Sequence, residues 1–357
     1  VSITLAIDGM GGDQAPQMVV AGLRQAQKLH PNISFLLYGQ EKLLSKLIPS
    51  DDPLRAITQI RHTDEVVTSE TTVSTALRSL KKSSMRLAIQ AVADGEAQGV
   101  VSAGNTGAYM ALSKLTLRAI EGIDRPAIAA LLPTVRGLCV VLDLGANVEA
   151  TTENLVQFAF MGSLFARYVL GIEKPSVGLL NVGVEELKGH DKLKMAQLVL
   201  KNNPLIENFY GFIEGDDIAF GKTDVVVTDG FTGNIALKAI EGTAKLLSNF
   251  LKQEIQKSFL SKVGALLAKS AFSTVKHRLD PHRYNGAPFL GLKGIAVKSH
   301  GGTSAYGFSS AINVAVHLIE NKVNERLAKD ISLLSQHLVQ EMENLSLAIE
   351  KPTPIKG

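Results

Sequence analysis

Five glycine-rich turns in this chain carry polar or charged side chains: Asp8-Gly-Met-Gly11-Gly12-Asp13, Ser102-Ala-Gly104-Asn105-Thr106-Gly107, Asp143-Leu-Gly145-Ala-Asn147, Asn181-Val-Gly183-Val-Glu185-Glu-Leu-Lys188-Gly189 and Asp229-Gly230-Phe-Thr232-Gly233-Asn234. Glycine lets a backbone turn sharply or approach a ligand closely. Free N–H groups at a helix start attract anions. Taken alone, each turn reads as well as a structural bend. Their recurrence points to a polar cleft suited to phosphate. His300, in Lys298-Ser-His300-Gly301-Gly302, sits in the same strand-to-glycine setting. It reads equally as a site residue or as part of a turn.

Several other chemistries find weak support. The first turn places Gln14 where a dinucleotide fingerprint needs its third glycine, and Leu37-Tyr38-Gly39-Gln40 offers no acid for a ribose. There is neither a G-x-x-x-x-G-K-[ST] loop nor a G-x-S-x-G elbow. The single cysteine, Cys139, lies in an apolar run and reads as a buried hydrophobe. One cysteine makes no internal disulfide, which suits a reducing cytoplasm. The eight histidines are scattered, and Asp280-Pro281 breaks the helix between His277 and His282. No metal site is expected.

These turns need elements to hold them. Apolar runs alternate with helical patterns, which predicts parallel strands with crossover helices. Strands are expected at Ile3–Asp8, Ser34–Tyr38, Gly99–Ser102, Ala127–Leu132, Leu138–Asp143, Val177–Asn181, Phe209–Ile213, Asp224–Thr228 and Gly294–Val297. A helix is expected from about Pro16 to Leu29, and another over Val323–Ile349. Gly104, Thr106 and Gly107 map onto Gly230, Thr232 and Gly233 at one offset. The match is either chance or the trace of two halves facing one cleft.

The chain has 357 residues, 45% of them hydrophobic, which is the balance of a globular protein. Its formal charge of +3 is too small to argue for nucleic acid. No run approaches the ~20 apolar residues of a membrane span. The beginning, Val1–Asp8, reads as a strand rather than a signal peptide. Lysines and arginines gather over 245–283, and Leu251, Ile255, Phe259, Val263 and Leu267 recur at four-residue steps. A basic apolar helix of this kind fits a membrane surface or a dimer interface. Phe259, Val263, Leu266 and Leu267 are the contact residues in either case.

The turns, with Ser83-Ser-Met-Arg86 and Glu121-Gly-Ile-Asp-Arg125-Pro126 between them, appear in a specific order. In that order the chain resembles the bacterial phosphate acyltransferases. The resemblance implies a three-layer α/β/α sandwich around one large mixed sheet, similar to phosphotransacetylases and the isocitrate dehydrogenase type. It implies a single catalytic domain over 1–349, made of two intertwined halves, with a helical excursion at about 245–283 and a tail at 350–357. The implied reaction moves a fatty acyl group from acyl-carrier protein to inorganic phosphate. The product feeds a membrane glycerol-3-phosphate acyltransferase in phospholipid synthesis. No metal or cofactor is implied. A homodimer in the cytoplasm, held peripherally at the inner membrane face, is. Lys188 and Asn234 become the catalytic candidates. Asp8, Gly11, Gly12, Gly104, Asn105, Thr106, Gly107, Asn147, Gly183, Gly230, Thr232, Gly233 and His300 become the phosphate and substrate contacts. Ser304 stands where relatives often carry Asn.

Overall fold

A computed structural model describes residues 2–332. The expected helix beyond residue 332 and the tail lie outside the described residues. The first part of the chain runs β1 (Ile3–Asp8), α1 (Gln17–Leu29), β2 (Ile33–Gly39), α2 (Glu41–Leu47), β3 (Thr58–His62), α3 (Val73–Arg78), α4 (Ser84–Ala93), β4 (Gly99–Ser102) and α5 (Thr106–Leu117). The middle runs β5 (Ala127–Ile128), β6 (Ala130–Thr134), β7 (Gly137–Leu142), α6 (Thr152–Leu170), β8 (Val177–Leu180), α7 (Asp191–Lys201), β9 (Phe209–Ile213), α8 (Gly215–Phe220) and β10 (Val225–Val227). Three helices follow in succession: α9 (Gly230–Lys257), α10 (Phe259–Leu267) and α11 (Lys269–Arg278). The chain then closes with β11 (Ala287–Leu290), β12 (Ile295–Lys298) and α12 (Ala305–Glu320).

The strands form mixed, mainly parallel sheets, as the alternating pattern predicts. They are divided rather than continuous. One sheet has seven strands in the order β3-β2-β1-β4-β12-β11-β5, and the other has five in the order β6-β7-β10-β8-β9. The expected strand Ala127–Leu132 bridges them. It breaks at Ala129, so β5 pairs with β11 and β6 pairs with β7.

Side chains alternate across each strand and sort into two cores. Leu5, Ile7, Phe35 and Leu37 face one core with α1, α6 and α12, while Ala6, Leu36 and Tyr38 face the other with α4 and α5. Helices thus cover both faces, which makes the three layers. The first core also takes Val140, Leu142, Val177 and Val225 from the smaller sheet, so it runs under both sheets. Helix α6 is the pillar of this core. Thr151 and Asn154 cap it reciprocally, and Gly171 ends it in the left-handed region. Cys139 is buried, as expected, and burial pushes its thiol up to about 12.

The helical excursion departs from expectation. It starts at Gly230, at the cleft itself, and α9 runs 28 residues, roughly 42 Å at 1.5 Å per residue. Only Gly230 and Gly233 of α9 are buried, and nothing in α10 or α11 is. The apolar stripe does not follow one helix. Ser258 takes an extended conformation and caps α10, so the direction changes there. Among the described residues, no helix is long and apolar enough to cross a membrane.

Candidate active site

Parallel strands of both sheets deliver their carboxyl ends to one region, the expected place for a ligand in an α/β protein. In the larger sheet, β4 ends at Ser102 and α5 begins at Thr106. Asn105 caps α5, its Oδ1 accepting the Ala108 N–H at 3.0 Å. Its amide group donates to the Ser69 and Thr71 carbonyls, which ties the 68–72 loop beside the helix start. The Gly104 N–H is not free: it donates to Ser102 Oγ at 3.1 Å. The N–H groups of Asn105, Thr106 and Gly107 take no partner among the described residues. The N–H groups open to an anion at this turn are therefore those three, and Gly104 contributes its shape. A side chain at Gly104 would meet Met85.

The smaller sheet presents a matching edge. Asp143 follows β7 and is fully buried. It accepts N–H groups from Ile128 at 2.9 Å, Ala146 at 3.1 Å and Asn147 at 2.7 Å, and the Asn147 amide at 2.9 Å. Burial pushes its carboxyl above the usual range, against the pull of these donors. The Asn147 carbonyl accepts the Gly230 N–H at 2.7 Å. A side chain at Gly233 would strike the Asp143 backbone carbonyl, so only glycine lets α9 seat on this turn. Asp229 caps α9, taking the Thr232 N–H at 2.8 Å and its hydroxyl at 3.0 Å.

Between these edges lies a cleft of about 420 Å³. Thr106 and Gly107 of α5, Gly145 and Ala146 of the Asp143 turn, and Asn234 of α9 form its polar side. Met110, Ala111, Ile128 and Leu144 form an apolar wall. Thr106 and Gly107 of the first echoed segment line this cleft, whereas Gly230, Thr232 and Gly233 of the second do not and only the adjoining Asn234 does. Their anchoring differs: Ser102 bonds Asp8 through its hydroxyl in one half, and Thr228 pairs with Leu142 and Asp143 through its backbone in the other. Their helix starts do not match, because α9 begins at the glycine equivalent to Gly104 while α5 begins two residues later.

Other expected residues stand behind or beside the cleft. Asp8 is only 2% exposed. Its oxygens accept hydroxyls from Ser84 at 2.6 Å and Ser102 at 2.7 Å. Burial raises its pKa against those bonds and the Lys298 charge. It braces the turn and does not line the cleft. Gly11 packs against the Asp8 carboxylate and Gly104, and Gly12 against Ala103 and Gly301. Lys188 is exposed in the loop after β8, outside the cleft wall, with no ion pair among the described residues. Asn181 shapes that loop by donating to the Lys188 carbonyl at 3.1 Å, and Gly183 sits against the Lys188 stem. His300 Nδ1 accepts the Gly302 N–H at 3.1 Å, and partial burial, Lys238 and Lys298 push its pKa down. Ser304 caps α12 through the Gly307 N–H.

Two features escaped the sequence. The apolar wall is drawn from three separate elements. Lys298, at the end of β12, is 8% exposed. Its one sequence signal is a lysine closing an otherwise apolar strand. Among the described residues, no cluster of His, Cys, Asp and Glu could hold a metal ion.

Comparison with known proteins fits this geometry. Residues 3–326 match the family described as "Fatty acid synthesis protein". The phosphate acyltransferase of Paramagnetospirillum magneticum is 54% identical over 333 residues, covering 93% of this chain and 95% of that protein. The phosphate acyltransferase of Rhodospirillum rubrum is 53% identical over 331 residues, covering 93% and 95%. Among solved structures, a phosphotransacetylase from Streptococcus pyogenes superposes with a TM-score of 0.58 at 16% identity, covering 89% of this chain and 94% of that one. The EutD phosphotransacetylase from Staphylococcus aureus gives 0.54 at 15% identity, covering 89% and 94%. At such identity these two show a shared fold.

Proposed function

The chain belongs to the fatty acid synthesis protein family that includes the phosphate acyltransferases, and we propose that it moves a long-chain acyl group from an acyl-carrier-protein thioester to inorganic phosphate. The observation that carries this reading is the cleft, where the Thr106 and Gly107 N–H groups at the start of α5, without a partner among the described residues, share one lining with Asn234 and an apolar wall. Phosphate is itself the nucleophile, so no enzyme nucleophile is needed. Its oxygen attacks the thioester carbonyl, the C–S bond breaks, and the carrier leaves as a thiolate that takes a proton. The N–H groups of Asn105, Thr106 and Gly107 hold the phosphate at the helix start. Asn234 donates to the oxyanion that forms on the carbonyl. Lys188, exposed and without an ion pair among the described residues, would swing toward the developing charge from the loop after β8. Positioning and charge stabilisation are the catalytic means.

The product is an acyl phosphate with a long apolar tail. A membrane glycerol-3-phosphate acyltransferase consumes it, so the enzyme works in the cytoplasm against the inner membrane face. The exposed α9–α11 arm supports both a homodimer and that membrane contact. Phe259, Leu260 and Leu267 are 80%, 82% and 83% exposed, far more apolar surface than a solvated hairpin offers. Delivery at the bilayer keeps the product's tail out of water.

The test is turnover of an acyl-carrier thioester with phosphate, read as free carrier thiol and acyl phosphate. Asn234→Ala and Lys188→Ala should each lose on the order of 10²–10³ in kcat while staying folded. Thiol release that does not depend on phosphate defeats the reaction. Near-normal turnover in both variants defeats the residue assignments.

A further inference from the structure

Three adjacent parallel strands, β1, β4 and β12, end in one row. Ile7 pairs with Val101, and Lys298 pairs with Ser102. Asp8, Ser102 and Lys298 therefore stand side by side at the strand ends, and all three are buried. Their bonds converge on a single peptide. Asp8 Oδ2 accepts the Ser102 hydroxyl at 2.7 Å, and Ser102 Oγ accepts the Gly104 N–H at 3.1 Å. Lys298 Nζ donates to the Ala103 carbonyl at 3.4 Å and to the Ser299 carbonyl. The Ala103–Gly104 peptide is thus held from both sides, its N–H by a hydroxyl and its carbonyl by an ammonium. The next three N–H groups along the chain, of Asn105, Thr106 and Gly107, take no partner among the described residues.

We propose that Lys298 is a positioning residue for the phosphate acceptor: it fixes the Ala103–Gly104 peptide, aims the N–H groups beyond it, and sets a positive charge beneath the bound anion. The proposal rests on phosphate binding at that turn. A lysine this deeply buried is costly unless its proton has partners. The partners here are two carbonyls and the carboxylates of Asp8 and Asp13. Without the charge, the bond to the Ala103 carbonyl drops from a charge-assisted one to a weaker neutral one. The same ammonium bonds Ser299, so it also joins the phosphate turn to the His300 turn.

The charge is titratable. Burial brings the ammonium down to about 8, against the pull of Asp8 and Asp13. The groups facing Lys298 are Asp8 on β1, Asp13 in the turn before α1, and His300 on its own turn, with Lys238 and Glu241 of α9 facing His300. His300 is pushed below its ordinary value, so its ring is already neutral where Lys298 loses its proton. The ammonium is charged below that point and neutral above it. Phosphate affinity should fall as pH rises through it.

The experiment measures phosphate binding by calorimetry without an acyl donor, and phosphate KM with one, from about pH 6.5 to 9.5. It uses the full chain, Lys298→Met and Ser102→Ala, with melting curves to confirm folding. The wild-type chain should show a step near pH 8. Lys298→Met should bind phosphate roughly tenfold or more weakly at neutral pH, the scale of one charge-assisted bond, and lose the step. Its kcat at saturating phosphate should change far less than its KM. Ser102→Ala should also bind weakly yet keep the step. Unchanged affinity in folded Lys298→Met, or a step that persists in it, overturns the proposal. Where Lys298→Met does not fold, a wild-type profile without the step overturns it, and a step kept in Ser102→Ala sustains it. Thiol release that ignores phosphate would defeat the reaction instead, and binding measured without donor keeps the two failures apart.

Discussion

Asp143 is a buried carboxylate that works as a joint. Its two oxygens gather donors from β5, from its own turn and from Asn147, so it links the two sheets beside the cleft. Asp143→Asn keeps the shape but leaves one acceptor oxygen, and turns an amide donor toward other donors. Denaturant unfolding should show a loss of about 1–3 kcal/mol, the cost of leaving buried donors unpaired. An unchanged midpoint would contradict this role. At this scale the sequence was partly legible. Glycine beside polar residues at strand ends marked both edges of the cleft, because such turns need both backbone freedom and ligand contacts. What it hid was depth. Asp8 reads as a ligand contact and Lys298 as an ordinary polar residue, and the burial of both depends on strands distant in the chain ending level with one another.

Elements with a strong pattern were legible, and those without were not. Val- and Leu-rich strands such as β4, β8 and β10 are covered on both faces, so their apolar runs stand out. Edge strand β3, Thr-Gln-Ile-Arg-His, is largely polar and gives no such run. Strand β11 contains Pro288, which argues against a strand anywhere inside a sheet. It is tolerated here because β11 pairs antiparallel on both sides over few residues. The arm was legible as basic and apolar, but its bend at Ser258 was not, because apolar spacing alone does not mark where one helix stops and the next starts. That bend places Phe259, Val263, Leu266 and Leu267 on a short separate helix at the turn of the arm. Val263→Asp/Leu267→Asp should reduce flotation with anionic liposomes while turnover in solution persists, since the cleft lies at the other end of α9. Light scattering should give a dimer for both proteins. A variant that stays dimeric and active and floats as well as wild type would remove this segment from the membrane contact.

The whole molecule is one device divided between two sheets. The proposed phosphate donors stand at the start of α5 beside the larger sheet, while Asn234 and the Asp143 turn come from the smaller one. The strand run breaks at Ala129, yet each of the two hydrophobic cores takes side chains from both sheets. That break is invisible in the run Ala127–Leu132, which reads as a single strand. A consequence follows for substrate choice. The polar side of the cleft suits phosphate and the thioester carbonyl, and Met110, Ala111, Ile128 and Leu144 suit the first carbons of an acyl chain. Ala111 is the smallest side chain in that wall and stands on α5, one turn past the phosphate donors. Ala111→Phe should fill part of the cleft without touching the free N–H groups. KM for long-chain acyl thioesters should rise severalfold to tenfold or more, since each buried methylene contributes ≈ 0.8 kcal/mol. KM for phosphate should hold, because its donors lie in the backbone of the preceding turn. Steady-state kinetics varying each substrate in turn would separate the two. If phosphate affinity falls as much as thioester affinity, or if neither changes, the apolar wall does not hold the chain.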